Sequence, residues 1–229
     1  IGRIAAQAGV RFHCDAVQSV GKVPVDVTQM GVDVLSLSGH KFYGPQGTGA
    51  LFVRKGVSLE PLLHGGHNER ERRAGTENVP GIVGFGLAAE IAGRHLAEDV
   101  ARIGKLRDNL EQGLLERVPH ARVNGSAQLR TPNTSNLIFP GVDGEALIIA
   151  LDLQGLACSA GAACSSGTVS PSHVLTAIGL SQAEAQSSVR LSLGRSNTEE
   201  EVALALELIP AAVARQRDVL AHREMAAAR

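Results

Sequence analysis

Short apolar runs separated by glycine-bearing turns occupy the first quarter of the chain, and longer helical periodicities occupy much of the rest. Val10–Cys14, Val32–Leu37 and Ala50–Arg54 have the length and composition of strands, and the first ends at Asp15. Ile1–Gly9 reads as the tail of a helix stopped by Gly9. Between the second and third strands, Gly44-Pro-Gln-Gly-Thr-Gly49 excludes regular structure. From Val79 apolar positions recur at helical spacing through Ile82, Phe85 and Ala89 to Leu96. A second helical stretch runs from Val100 to Val118, ahead of Pro119. Charge rises over Gly93–Asp99, and a domain boundary is expected there, giving 1–97 and 98–229.

The remainder reads as strand, strand, helix, strand, loop, helix, strand, helix. Asn136–Phe139 is a short apolar strand, Asp143–Leu153 a helix, and Leu156–Ser159 a strand. Ser188–Leu193 alternates as a half-buried strand, and Thr198-Glu-Glu-Glu201 has capping-box spacing for the last helix. The alternation of elements predicts an α/β protein.

Composition narrows the function classes. A net charge of −1 gives no reason to expect nucleic acid or an anionic membrane as partner. No apolar run has the length of a bilayer span, and no signal peptide opens the sequence. Three cysteines, an odd number, argue against a disulfide framework and suit a reducing cytoplasm. The chain opens in mid-helix without methionine, so it is expected to be part of a longer protein.

Candidate chemistry concentrates where strands end. Lys41 lies just past the second strand, flanked by Ser38, Gly39 and His40, rather than among the charges of a helix face. A partly desolvated lysine has a neutral amine able to condense with a carbonyl, although a strand-ending lysine pointing to water has the same sequence appearance. Asp15 follows the first strand, at the edge where open α/β sheets place ligands, and a lone Asp there also caps turns. An acid and a lysine on one sheet edge suit pyridoxal phosphate, which needs a lysine for its aldehyde and a carboxylate for its pyridine nitrogen. Gln18 can donate to the ring's phenolic oxygen, and Ser38 and His40 can contact the phosphate. His64 and His67 sit in a polar, glycine-bearing loop without a further ligand at metal-site spacing, so no metal is assigned.

Two segments, His13-Cys-Asp-Ala-Val-Gln-Ser19 and Ser38-Gly-His-Lys-Phe-Tyr-Gly-Pro45, closely resemble the cofactor segments of cysteine desulfurases of the iron–sulfur cluster assembly type. The resemblance covers nearly the whole chain. It implies the carboxyl-terminal part of the large mixed-sheet domain of a fold-type I pyridoxal phosphate enzyme, followed by a smaller α+β domain. In that family the loop His64–Thr76 crosses to the partner of a homodimer, and a threonine matching Thr76 helps hold the partner's cofactor phosphate.

Of the three cysteines, Cys14 and Cys158 lie in strands and read as small core residues. Cys164 sits among small residues, in a stretch suited to a thiol that must travel between a buried cofactor and an external acceptor. Ser159-Ala-Gly-Ala-Ala-Cys-Ser-Ser-Gly167 resembles the desulfurase active-site loop, with Cys164 at the catalytic position and alanines at 160 and 162 where serine is common. Arg190, on a strand of buried type, calls for an anion. Its family counterpart binds the substrate α-carboxylate, while Arg195 is expected to be solvated.

The resemblance implies conversion of L-cysteine to L-alanine with a persulfide left on Cys164, and a sulfur-acceptor or scaffold protein as partner. Lys41 would hold the cofactor and shuttle protons. Other family contacts, a stacking histidine, part of the phosphate loop and a substrate asparagine, precede the first residue of this chain. A selenocysteine lyase, another fold-type I enzyme and a non-catalytic scaffold are the competing readings.

Overall fold

The structure, a computed structural model, describes residues 1–160 and 171–227, with side chains of the last helix up to His222. The chain divides into two compact units, Ile1–Glu98 and Asp99–Arg229.

The first unit is built on a three-stranded sheet in the order β1 (His13–Asp15), β2 (Val34–Ser38), β3 (Gly49–Val53). β1 and β2 are parallel, with Asp15 opposite Ser36, and β3 returns antiparallel. Because side chains alternate along a strand, Cys14, Leu35, Leu37 and Phe52 share one face and pack with Ala16 and Val32. The opposite face carries His13, Asp15, Ser36 and Ser38.

Short helices frame this sheet. α1 (Gly2–Gln7) ends ahead of Gly9, whose φ of +65° reverses the chain. α2 (Val27–Met30) starts where Asp26 accepts hydrogen bonds from the amides of Thr28 and Gln29 at 2.8 and 3.0 Å. Asp33, 8% exposed, ties the chain before β1 to that before β2 by accepting from the Phe12 amide at 2.9 Å, and it pairs with Arg11 and Arg54. The amide bond, opposed by burial and helped by both arginines, holds its carboxyl below the usual range.

α3 (Asn68–Glu71) is a single turn in which Glu69, Arg70 and Glu71 all have positive φ (52°, 58° and 64°). α4 (Val79–Arg117) then runs for 39 residues without interruption. The expected break between two helical stretches is absent. The charges over 93–99 lie along one continuous helix, where Arg94 reaches back to Glu90 and His95 pairs with Glu98 at 3.5 Å.

The second unit carries a four-stranded sheet in the order β4 (Arg122–Val123), β5 (Thr134–Ile138), β7 (Ser188–Ser192), β6 (Ser159–Ala160), all pairs antiparallel. The second of these strands is longer than its apolar run, and β6 begins where the expected strand over 156–159 ends. α5 (Gly144–Asp152) is capped by Asp143, which accepts from the amides of Glu145 and Ala146. α6 (His173–Ala177) and α7 (Gln182–Gln186) replace the single helix expected there. α8 (Glu199–Ala227) starts with the Thr198–Glu201 capping box in place and contains Pro210.

Leu114, Leu137, Leu147, Leu151 and Ile209 are almost fully buried in the core of this unit. Beside it, Arg130 grips Glu111 through two bonds of 2.6 and 2.8 Å, and Ser135 donates to the same carboxylate. Arg195, expected to be solvated, instead pairs with Asp99 at 2.7 Å, with its side chain 32% exposed and the acid 15% exposed. No helix among the described residues is long and apolar enough to cross a membrane.

Candidate active site

Strand polarity assembles the candidate residues of the first unit. Since β1 and β2 run parallel, both chains leave the sheet at the same edge. After β1, Asp15 turns the chain by accepting from the amide of Val17 at 2.9 Å, and Gln18 follows in that turn. After β2, the chain tightens into a 3₁₀ turn over Gly39–Phe42, which carries His40 and Lys41. Tyr43 ends that turn with φ +69°.

Close packing fixes this turn. Phe42 is 2% exposed and meets Phe85 of α4 edge-to-face, with ring centroids 5.3 Å apart. Gly39 admits no side chain, because a Cβ would stand 2.6 Å from Thr48 Oγ1. Lys41 is half-buried, while Asp15, Gln18 and His40 are exposed. Ser38 Oγ and His40 Nδ1 lie 2.9 Å apart, so the two phosphate candidates form one polar pair.

This donor set fits pyridoxal phosphate. A primary amine, a carboxylate, and a hydroxyl beside an imidazole lie on or next to two adjacent parallel strands. The sequence reading missed Lys22. Its ammonium approaches the carbonyl and Oε1 of Gln18 and the carbonyl of Lys41, each at 3.4 Å. Nothing in the local sequence distinguishes it, because the contact to Lys41 spans 19 positions.

Thr76 is exposed and lies in the segment between α3 and α4, braced by a 2.9 Å bond from Asn68 to Glu77. Three successive left-handed residues in α3 cost roughly 1–2 kcal/mol each, so this loop holds a strained backbone. His67 Nδ1 faces Glu71 at 3.0 Å. No group of three or more His, Cys, Asp or Glu among the described residues is arranged to hold a metal ion.

In the second unit Arg190 sits at mid-β7, paired with Asn136 of β5 and Ser159 of β6. Its Nε is buried and has no hydrogen-bond partner among the described residues. A buried guanidinium nitrogen in that state is a candidate anion-binding donor. Cys14 and Cys158 are both half-buried and packed beside apolar clusters. Burial, reinforced by the charge of Asp152, raises the Cys158 thiol to about 11. Cys164 lies outside the described residues.

Comparison with known proteins matches residues 1–204 to the family model described as aminotransferase class-V. A cysteine desulfurase of Gluconacetobacter diazotrophicus is 48% identical over 96% of this chain and 55% of its own length. A cysteine desulfurase IscS of Methanosarcina thermophila is 49% identical over 96% of this chain and 54% of its own. Among solved structures, a NifS-like protein superposes with a TM-score of 0.83 at 39% identity, over 93% of this chain and 55% of that one. The chain thus spans about half the length of the relatives it matches. Its mixed α/β architecture is that of the fold-type I enzymes. The chain belongs to the aminotransferase class-V family, whose members depend on pyridoxal phosphate.

Proposed function

We propose that this chain is the larger part of a cysteine desulfurase that converts L-cysteine to L-alanine and leaves a persulfide on Cys164. The observation that carries this reading is the shared exit edge of β1 and β2, which brings Asp15 and the Ser38–Lys41 turn next to one another. Similarity to proteins named cysteine desulfurase supports the substrate.

Pyridoxal phosphate, when bound, supplies the electron sink that lets the substrate carbon–sulfur bond break. Lys41 holds the cofactor and moves a proton at its Nζ. Asp15 keeps the pyridine nitrogen protonated, Gln18 donates to the phenolic oxygen, and Ser38 with His40 holds the phosphate. Arg190, whose Nε has no hydrogen-bond partner among the described residues, binds the substrate carboxylate. Cys164 Sγ attacks the sulfur of L-cysteine. The bonding pair of the broken C–S bond stays on carbon, which takes up a proton to become the methyl group of alanine, and the oxidised sulfur remains on Cys164.

Thr76 serves the neighbouring site of a homodimer, consistent with its exposure on a strained loop. The sulfur passes to an acceptor or scaffold protein for iron–sulfur cluster assembly or a related thiolation. The odd cysteine count of this chain supports a reducing cytoplasm as its location.

The test is borohydride reduction of the cofactor-loaded, full-length protein, followed by peptide mapping. Lys41 should carry the label, and Cys164→Ser should keep it while releasing no alanine. A label on Lys22 or Lys55, or alanine release by Cys164→Ser at the wild-type rate, overturns the proposal.

A further inference from the structure

We propose that Lys22 is a positioning residue for the cofactor site, fixing the amide of Gln18 so that its NH₂ group is presented to the cofactor's phenolic oxygen. This inference rests on the reading of Lys41 and Gln18 given above.

A lysine ammonium has three donors and no acceptor. With Lys22 Nζ 3.4 Å from Gln18 Oε1, the amide oxygen is the end that faces it. The Nε2 donors therefore lie on the other branch of the amide. Without such a partner, an exposed glutamine presents either end with similar ease.

The same ammonium reaches the carbonyls of Gln18 and Lys41, also at 3.4 Å. It thereby joins the turn after β1 to the turn after β2, the two segments that carry the candidate cofactor contacts. All three acceptors are uncharged, an unusual environment for a half-buried lysine. Burial first, and the charge of Lys41 second, lower the proton affinity of Lys22. The placement therefore has a cost that simple surface solvation does not explain.

A purely structural tie between the two turns, or a through-space effect of the positive charge, would use the same contacts. A double-mutant cycle separates these from positioning. A hydrogen bond donated to the phenolic oxygen favours its anionic form. Losing the bond raises the pH midpoint of the bound cofactor's visible absorption, by about half a unit to one unit for a neutral hydrogen bond. Loss of a nearby positive charge moves the midpoint in the same direction, so sign alone does not discriminate.

The experiment uses the full-length protein loaded with pyridoxal phosphate and compares wild type, Lys22→Met, Gln18→Ala and the double variant. Positioning predicts that each single variant raises the midpoint and that the double variant rises no further than Gln18→Ala. Lys22→Arg, which retains the donors, should return the midpoint to the wild-type value. Additive shifts would assign Lys22 a direct charge effect, and an unmoved midpoint in Lys22→Met would leave it a structural tie. Either result overturns the inference. Running the same cycle with Lys22→Gln covers a Lys22→Met protein that does not fold. Borohydride labelling of each variant tests the underlying reading separately: a label at Lys41 with additive shifts refutes only the role of Lys22, whereas no label at Lys41 refutes both.

Discussion

The main apolar cluster of Ile1–Glu98 contains three buried residues, Ala16, Val32 and Leu35, whereas one cluster in Asp99–Arg229 contains sixteen. The first unit also exposes Val79, Ile82, Val83 and Leu87, spaced to fall along one side of α4, at 49–65% of their full surface. Within this chain the deeper core lies in the second unit. The first unit contributes a three-stranded sheet whose polar face carries the candidate cofactor residues, in a chain that spans about half the length of its relatives. The candidate cofactor residues are held by turn geometry, such as the anchoring of Phe42 on Phe85.

Substitutions can break this contrast. Leu114, fully buried in the second unit, should lose about 4 kcal/mol of stability as Leu114→Ala, because a rigid core collapses poorly around the cavity. Urea unfolding, with hydrogen exchange at the β5 and β7 amides to assign the loss, measures this. Next in size is Glu111→Ala, at about 3 kcal/mol, since it strands the Arg130 guanidinium with its side chain 16% exposed. Burial raises the Glu111 carboxyl, but the bonds from Arg130 and Ser135 and the charges of Arg130 and Arg107 outweigh it and hold it below the usual range. The stability it supplies is thus present above the ordinary glutamate range and lost as pH falls below it. A charge-neutral Glu111→Gln protein should show less of this acid dependence.

Leu35→Ala should cost only about 2 kcal/mol, because the partly exposed neighbours in its small cluster can close around the gap. A loss equal to that of Leu114→Ala would remove the distinction between the units. The smallest expected effect is electrostatic. Glu184 is held at about 2 by the Ser181 amide, the Arg122 guanidinium and the Ser181 hydroxyl, in that order. Its folded value lies below its unfolded one, so its contribution is complete above about pH 4.5 and fades as pH falls toward 2. Unfolding midpoints of wild type and Glu184→Gln should differ at pH 7 and converge near pH 2.

Much of the fold was legible because strand ends and helix periodicity are local signals. Lys41 and Asp15 stood out by following apolar runs, and the parallel pairing put their strands side by side. Short capped helices were less visible. Asp26 with Gly31 brackets α2, and Ser181 with Glu184 forms a complete capping box for α7, yet each helix has too few residues to show a period. The expected break between two helical stretches is absent because, as a sequence does not reveal, Glu90–Arg94 and His95–Glu98 pair along an unbroken helix. Arg195 and Lys22 escaped for one reason: their partners, Asp99 and Lys41, are 96 and 19 positions away.

The burial of Cys158 has a consequence for sulfur traffic. With its thiol near 11, the fraction ionised at neutral pH is on the order of one in ten thousand. Only a thiolate exchanges rapidly with persulfides and disulfides. If sulfur rests on Cys164, the nearest cysteine in the sequence is therefore an insulated bystander. Packing that stabilises the second unit would also act as a kinetic filter, keeping cargo sulfur from leaking into the protein's own framework before an acceptor arrives.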